Sequence, residues 1–336
     1  MGTIADGTER DGGYLRLENI CKRYGDTAAA DGVTLSVPRG CFLSLLGESG
    51  SGKTTLLRVI AGFEKPDCGR VYIGGRDVTD APPSERGCRT VFQDLALFPH
   101  MSAAGNIAFV LRAGKRLCAD GRYRRMSAAE ARAEAERALA ETGLAGMGSR
   151  KISTLSGGEK QRVAIARALA SGADVMLLDE PFSSLDAVTR AGLRALLADL
   201  HARTPVTFVY VTHDREDAMR MSDRVAVLSG GRLLRCASPE EVYRDPQSAE
   251  AARLTGECGV LRAADGSEIF VRPEDVTFGS GEECVVTECA YGGGKYLITL
   301  LSPRGEVKAY SDREYAKGEK ALFDIKSGSG GKAVKV

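Results

Sequence analysis

From Tyr14 to Leu46 the hydrophobic positions fall in short runs suited to strands. In "VTLSV", Val33 to Val37, apolar and polar residues alternate, and "CFLSLL", Cys41 to Leu46, is apolar almost throughout. A Gly-rich turn follows, then "TTLLRVIAG" reads as a helix. Strand, glycine loop and helix form the βα unit of a parallel sheet, so the class is α/β. From 94 to 155 the pattern turns helical. "SAAEARAEAERALAETG", Ser127 to Gly143, has a Ser127/Glu130 capping box at its start and Gly143 as its stop. This stretch is expected to be a helical insertion in the α/β domain.

Two apolar runs come next, "VMLLD" (Val175 to Asp179) and "VTFVYVTH" (Val206 to His213), with a helical stretch between them. "RVAVLSGGRLLRC" predicts a hairpin turning at Gly230-Gly231. "SPEEVYRDP" predicts a helix capped by Ser238 with Pro239 in its first turn. Beyond Glu257 the texture changes. Short strands such as "ECVVTECAY", "KYLITLL", "EVKAY" and "KALFDI" are separated by glycine-rich turns. The expected organisation is an α/β domain over 14–246 and a small all-β domain over 257–326, closed as a barrel. The ends, 1–13 and 327–336, are expected to be flexible.

Composition narrows the function classes. The chain has 336 residues, 43% hydrophobic and 27% charged, with a net charge of +1. Without an excess of base, a partner recognised mainly through a phosphate backbone is not suggested. No apolar run approaches the ~20 residues that span a bilayer. The start, "MGTIADGTERDGGYLRL", has neither the basic nor the apolar segment of a secretion signal. Nine cysteines are scattered with no C-x-x-C, which fits reduced thiols and argues against a cysteine metal site. Residues 113 to 126, "AGKRLCADGRYRRM", are basic and fit a solvated loop, the alternative being contact with acidic lipid or a partner.

Phosphate chemistry is written twice. "GESGSGKT" (Gly47, Glu48, Ser49, Gly50, Ser51, Gly52, Lys53, Thr54) matches G-x-x-x-x-G-K-[ST] between a predicted strand and a predicted helix. Its glycines let backbone N–H groups wrap phosphates, Lys53 reaches the β- and γ-phosphates, and Thr54 is placed for Mg²⁺. Thr55 follows in the same turn. "VMLLDEP" ends an apolar strand in two acids. Asp179 suits a cation, directly or through water, and Glu180 suits a base that polarises an attacking water. His213 ends another strand, where ligands bind in open α/β sheets. The second phosphate-facing element is "LSGGEKQRVAIARAL", Leu155 to Leu169. It opens a helix with Ser156, Gly157 and Gly158, a second anion cradle.

That segment resembles the signature sequence of ATP-binding cassette (ABC) ATPases. The other family elements stand in order: Tyr24 in "KRYGD" matches the adenine-stacking aromatic, Gln93 in "VFQDLALFPHMS" the Q-loop, "SSLD" with Asp186 the D-loop, and His213 the switch histidine. The resemblance covers about 14 to 246. It implies a P-loop NTPase cassette with a helical subdomain, binding ATP and Mg²⁺, with Thr54, Gln93 and Asp179 at the metal and Lys53, Glu180 and His213 catalytic. It implies a homodimer in which Ser156, Gly157, Gly158 and Asp186 of one copy serve the ATP of the other.

"PPSERGCRTVFQDLALFPHMSAAGNIAF", "VTHDREDAMRMSDRVAVL" and "SPEEVYRDP" resemble the polyamine, ferric-iron, sulfate and sugar importer subfamily, and "VRPEDV" its C-terminal OB/TOBE-like domain. The resemblance implies a peripheral subunit at the cytoplasmic face of the inner membrane. Its partners would be membrane permease subunits and an extracytoplasmic solute-binding protein, with no nucleic acid. Polyamine or ferric iron is the expected solute. The alternatives are a soluble ABC ATPase acting on nucleic acid or ribosomes, and an exporter subunit. Against the first stand the single cassette and the lack of a long heptad run. Three features depart from the usual pattern: Glu48 replaces a common Pro, Glu159 a frequent Gln, and the basic stretch lengthens the helical region.

Overall fold

The computed structural model describes residues 13–114, 116–117, 123–183, 185–326 and 333–334. Most of both expected flexible ends, the core of the basic stretch, and Ser184 lie outside the described residues. The first region contains β1 (Leu15–Tyr24), β2 (Thr27–Val37), β3 (Phe42–Leu46), α1 (Lys53–Ala61), β4 (Cys68–Ile73), β5 (Arg76–Asp77) and β6 (Cys88–Val91). The helical stretch follows with α2 (Ala103–Ala113), a small ribbon of β7 (Arg116–Leu117) and β8 (Tyr123–Arg124), α3 (Ala128–Glu141) and α4 (Gly157–Ala170). The α/β pattern resumes with β9 (Val175–Asp179), α5 (Ala187–Arg203), β10 (Thr207–Thr212), α6 (Arg215–Met221), β11 (Arg224–Ser229), β12 (Arg232–Ala237), α7 (Pro239–Arg244) and α8 (Ala249–Thr255). The last region is β13 (Gly259–Arg262), β14 (Glu268–Val271), β15 (Val276–Tyr291), β16 (Tyr296–Ser302), β17 (Gly305–Ser311), β18 (Lys320–Ile325) and β19 (Ala333–Val334).

The central sheet runs β12-β11-β3-β10-β9-β6, parallel except for the edge strand β12. β3 and β10 are mostly apolar and wholly buried, as expected of parallel strands covered on both faces. An antiparallel sheet β2-β1-β4-β5 packs its Leu15, Leu17 and Val71 into one core with α1. The parallel order fixes the function, because the C-terminal ends of β3, β6, β9 and β10 come to one edge. Those ends carry the loops expected to hold nucleotide.

The helical stretch has its own core. α2, α3 and α4 bury Ile107, Ala131, Ala135, Leu139, Val163 and Ala166 together. Alanines at helical spacing on α3 let the helices approach, and the Ser127/Glu130 capping box starts it as expected. The same α4 turns Ala164, Ile165 and Ala168 into the core under the central sheet. One helix therefore belongs to both layers.

The hairpin turn falls at Gly230 and Gly231, both at positive φ (52° and 79°), as a two-residue primed turn requires. The C-terminal strands pair as a seven-stranded sheet, β18-β15-β16-β17-β13-β14-β19, over a core of Leu261, Val286, Ile298, Leu300 and Phe323. Among the described residues no ladder joins β18 to β19. Arg272 of "VRPEDV" is buried and donates to the carbonyls of Tyr243, Ala252 and Glu257 and to the Thr255 hydroxyl. Five donors in a planar fork suit it to tie α7 and α8 to the β region.

Cys21 and Cys68 face each other in the antiparallel register of β1 and β4, with Cα atoms 5.0 Å apart. Strand pairing brings them together across 47 residues, which spacing along the chain does not reveal.

Candidate nucleotide site

The loop after β3 is held in an unusual shape by its glycines. Gly50 and Gly52 have φ of 83° and 98°. A Cβ on Gly47 would come within 2.3 Å of the Leu228 carbonyl oxygen. A Cβ on Gly52 would come within 2.0 Å of the Ala29 carbonyl oxygen. Gly52 also caps α1 without any side-chain hydrogen bond, so the first-turn N–H groups of α1 are offered to a ligand. Ser49 and Glu48 are exposed, Ser51 is buried, and Thr54 and Thr55 are half-buried in the first turn of α1. The Glu48 side chain lies at the surface, and its charge favours the protonated form of Lys53.

Lys53 is only 5% exposed. Its ammonium donates to the carbonyls of Gly47 (2.8 Å) and Glu48 (2.7 Å). Burial pushes its pKa down from the ordinary lysine value, and the nearby Glu180, Asp179 and Glu48 oppose that shift. Thr54 donates its hydroxyl to Asp179 at 3.1 Å, which joins α1 to the end of β9. The Asp179 carboxyl is raised above its usual range, chiefly by burial, with Glu180 adding repulsion and Arg58 and Lys53 opposing. A half-buried carboxylate beside a hydroxyl, in a site already rich in negative charge, fits a small hard cation with oxygen ligands.

Glu180 sits one residue beyond β9 with φ of 44°, a left-handed conformation that costs a non-glycine residue about 1–2 kcal/mol. Its N–H donates to the Val211 carbonyl at 3.2 Å, holding it against β10. His213 lies just past β10, and its Nδ1 is 3.3 Å from a Glu180 oxygen. A small cleft opens between them, lined also by Ser183, Thr212 and Asp214. Gln93, two residues beyond β6, donates to the Ser183 hydroxyl at 3.4 Å, and Ser183 donates to the Glu180 carbonyl at 3.1 Å. Ser183 is thus a link that sequence reading named only as part of its loop. Tyr24 ends β1 with 47% of its surface exposed, a ring open to stacking.

The second cradle is built differently. Ser156 caps α4, accepting the Glu159 N–H at 3.3 Å, while the Glu159 carboxylate accepts the Ser156 N–H at 2.7 Å. These bonds hold the Glu159 carboxyl below its ordinary range. Glu159 thereby gains a structural reason: it completes a capping box. Ser156 and Gly157 are exposed. Gly158 is buried, and a Cβ there would come within 2.5 Å of the Thr189 methyl on α5. Asp186 caps α5 through the N–H groups of Val188 and Thr189, both at 3.0 Å. The structure therefore gathers Lys53, Thr54, Asp179, Glu180, His213 and Gln93 at one sheet edge. Ser156 and Asp186 are each bonded to the start of their own helix.

This combination of a glycine loop on α1, acids ending β9 and a serine-glycine helix start defines a nucleotide-binding cassette. The family described as "ABC transporter" matches residues 30–183. The Fe(3+) ions import ATP-binding protein FbpC 1 of Rhizobium meliloti is 44% identical over 79% of this chain and 73% of its own length. The spermidine/putrescine import ATP-binding protein PotA 2 of Pseudomonas aeruginosa is 43% identical over 91% and 83%. Among solved structures, the ATP-binding cassette MJ0796, a dimer in a post-hydrolysis state bound to ADP and Pi, is similar with a TM-score of 0.58 and 34% identity. That likeness covers 67% of this chain and 98% of MJ0796. The chain belongs to the ABC transporter family as an ATP-binding, ATP-hydrolysing cassette. No helix among the described residues is long and apolar enough to cross a membrane.

Proposed function

We propose that this chain is the ATPase subunit of an importer, working as a homodimer under a separate membrane permease. The observation that carries this is the split between the two cradles. The P-loop edge holds the groups suited to phosphate and to attacking water, while Ser156 and Gly157 stand exposed at another helix start. A second copy can present that start to the nucleotide. In this reading Tyr24 stacks on adenine, the loop from Gly47 to Gly52 and Thr55 wrap the phosphates, and Lys53 binds the β- and γ-phosphates. Glu180 orients the water and takes its proton, and His213 holds both Glu180 and the γ-phosphate. Ser156, Gly157, Gly158 and Asp186 act across the dimer. Thr54, Asp179 and Gln93 are the groups for Mg²⁺, directly or through water. Bound there, the ion would neutralise charge that develops on the phosphates.

The permease contact is assigned to the surface beside Gln93. Phe63 and Phe109 are large apolar side chains with 52% and 49% of their surface exposed. Phe63 packs on Phe92, the neighbour of Gln93, and Phe109 packs on Phe98. Solvent-facing aromatics next to a nucleotide-sensing loop suit a partner that must feel the ATP state. The chain then sits peripherally at the cytoplasmic face of the inner membrane, with an extracytoplasmic binding protein completing the complex. Ferric iron or a polyamine is the solute, in line with the relatives' names.

The test is capture from detergent-solubilised membranes of its own cell, using tagged Glu180→Gln chain with ATP and magnesium. A multi-spanning permease should be recovered, and uptake of radiolabelled iron or spermidine by cells lacking that permease then separates the two solutes. Recovery of ribosomes or soluble proteins alone contradicts the importer reading.

A further inference from the structure

The loop that carries Gln93 is strained in a way its own sequence does not explain. Leu95 and Ala96 both stand in the left-handed region, with φ of 62° and 44°. Two consecutive non-glycine residues there persist only where the surroundings fix them. The turn closes by a bond from the Leu95 N–H to the Phe92 carbonyl at 2.9 Å. What grips it from outside is Arg167 on α4. One guanidinium nitrogen donates to the Ala96 carbonyl at 2.6 Å and the other to the Leu95 carbonyl at 2.7 Å. The guanidinium is partly buried, with Asp94 as its nearby counter-charge. The planar fork aims one nitrogen at each of the two successive carbonyls in a fixed geometry, whereas a lysine offers a single nitrogen on a flexible stem.

We propose that Arg167 is a positioning residue for Gln93. It clamps the strained turn two residues beyond that side chain and so ties it to α4, whose other end is Ser156. From Gln93 the contacts continue through Ser183 to the Glu180 backbone. α4 therefore carries the serine-glycine start and the Gln93 loop as one body, and a movement at either is felt by the other. This inference rests on the reading of Gln93 as a nucleotide-side group.

The test uses Arg167→Lys, which keeps the charge and loses the fork. Turnover should fall about tenfold through misplacement of Gln93, with the KM for ATP nearly unchanged. Hydrogen exchange of the segment 92–98 should rise. Adding Ala96→Gly, which removes part of the left-handed cost, should restore turnover. In a Gln93→Ala background Arg167→Lys should cause no further loss, since both act through one group. Additive losses, or exchange that stays unchanged while turnover falls, overturn the proposal. Faster exchange with normal turnover also overturns it. If Gln93→Ala is then silent as well, the fault lies in the reading of Gln93 rather than in the clamp.

Discussion

Two helix starts in this chain are suited to phosphate, and they are built on opposite plans. α1 begins at Gly52 with φ of 98° and no side-chain cap, so its free N–H groups and its macrodipole are kept for a ligand. α4 begins at Ser156 inside a closed capping box, already satisfied by Glu159. The first is a poor helix start that becomes a good one with phosphate bound. The second is a stable start that offers a hydroxyl and an exposed glycine. A site assembled from both places its binding strength in one copy and its docking geometry in the other. The same contrast appears in the glycines. Gly52 answers to a left-handed backbone as well as to the Ala29 carbonyl beside it, whereas Gly158 answers to the close approach of α4 and α5 at Thr189 alone.

The largest expected effect concerns the α1 edge. Glu180→Gln should reduce steady-state phosphate release by about 10²–10⁴-fold while leaving ATP binding intact, as loss of a general base does. Near-normal release would remove Glu180 from that role. Lys53→Ala should weaken ATP binding about 10- to 100-fold, read by titration of a fluorescent ATP analogue, through loss of charge-assisted contacts to phosphate. An unchanged dissociation constant would mean that the loop backbone alone holds the phosphates.

The next effect separates the glycines. Gly158→Ala should destabilise by about 1–3 kcal/mol through overpacking against Thr189. Thr189→Ser, which deletes the clashing methyl, should recover much of the melting temperature. Recovery would not follow if Gly158 mattered only for phosphate.

The smallest effect is on stability through Asp179. Burial raises its folded pKa above the unfolded value, so its ionised form burdens the fold at neutral pH. Stability from this group is present below the unfolded pKa and declines as pH rises through the raised folded pKa. Asp179→Asn should therefore raise the melting temperature at pH 7, with the gain shrinking as pH falls into the carboxylate range. A gain that persists in acid would point to packing rather than charge.

Much of this is legible in the sequence because it is local. The run from Cys41 to Gly62 contains its strand, its glycine loop and its helix within one stretch. The capping boxes at Ser127 and Ser238 are likewise written in four consecutive residues each. What escapes reading is set by contacts distant along the chain. Arg167 meets Leu95 and Ala96 only once α4 lies beside the loop after β6. Cys21 meets Cys68 only through strand register. The C-terminal strands are visible as alternating runs, but their order in the sheet depends on which edges pair. Glu159, which departs from the common residue in the resemblance, is explained only when its carboxylate is seen closing the α4 cap.

The most direct test of the shared site mixes two inactive chains, Lys53→Ala and Gly157→Asp. At Gly157 the nearest atom to a new Cβ is 3.4 Å away, on Leu185, and the residue is exposed, so the aspartate is tolerated while its charge opposes phosphate. In a head-to-tail dimer of the two, one composite site has both defects and the other has none. ATP turnover in the mixture should stand well above the sum of the separate chains. A mixture no more active than that sum would show that each chain completes its own site and that no site is shared.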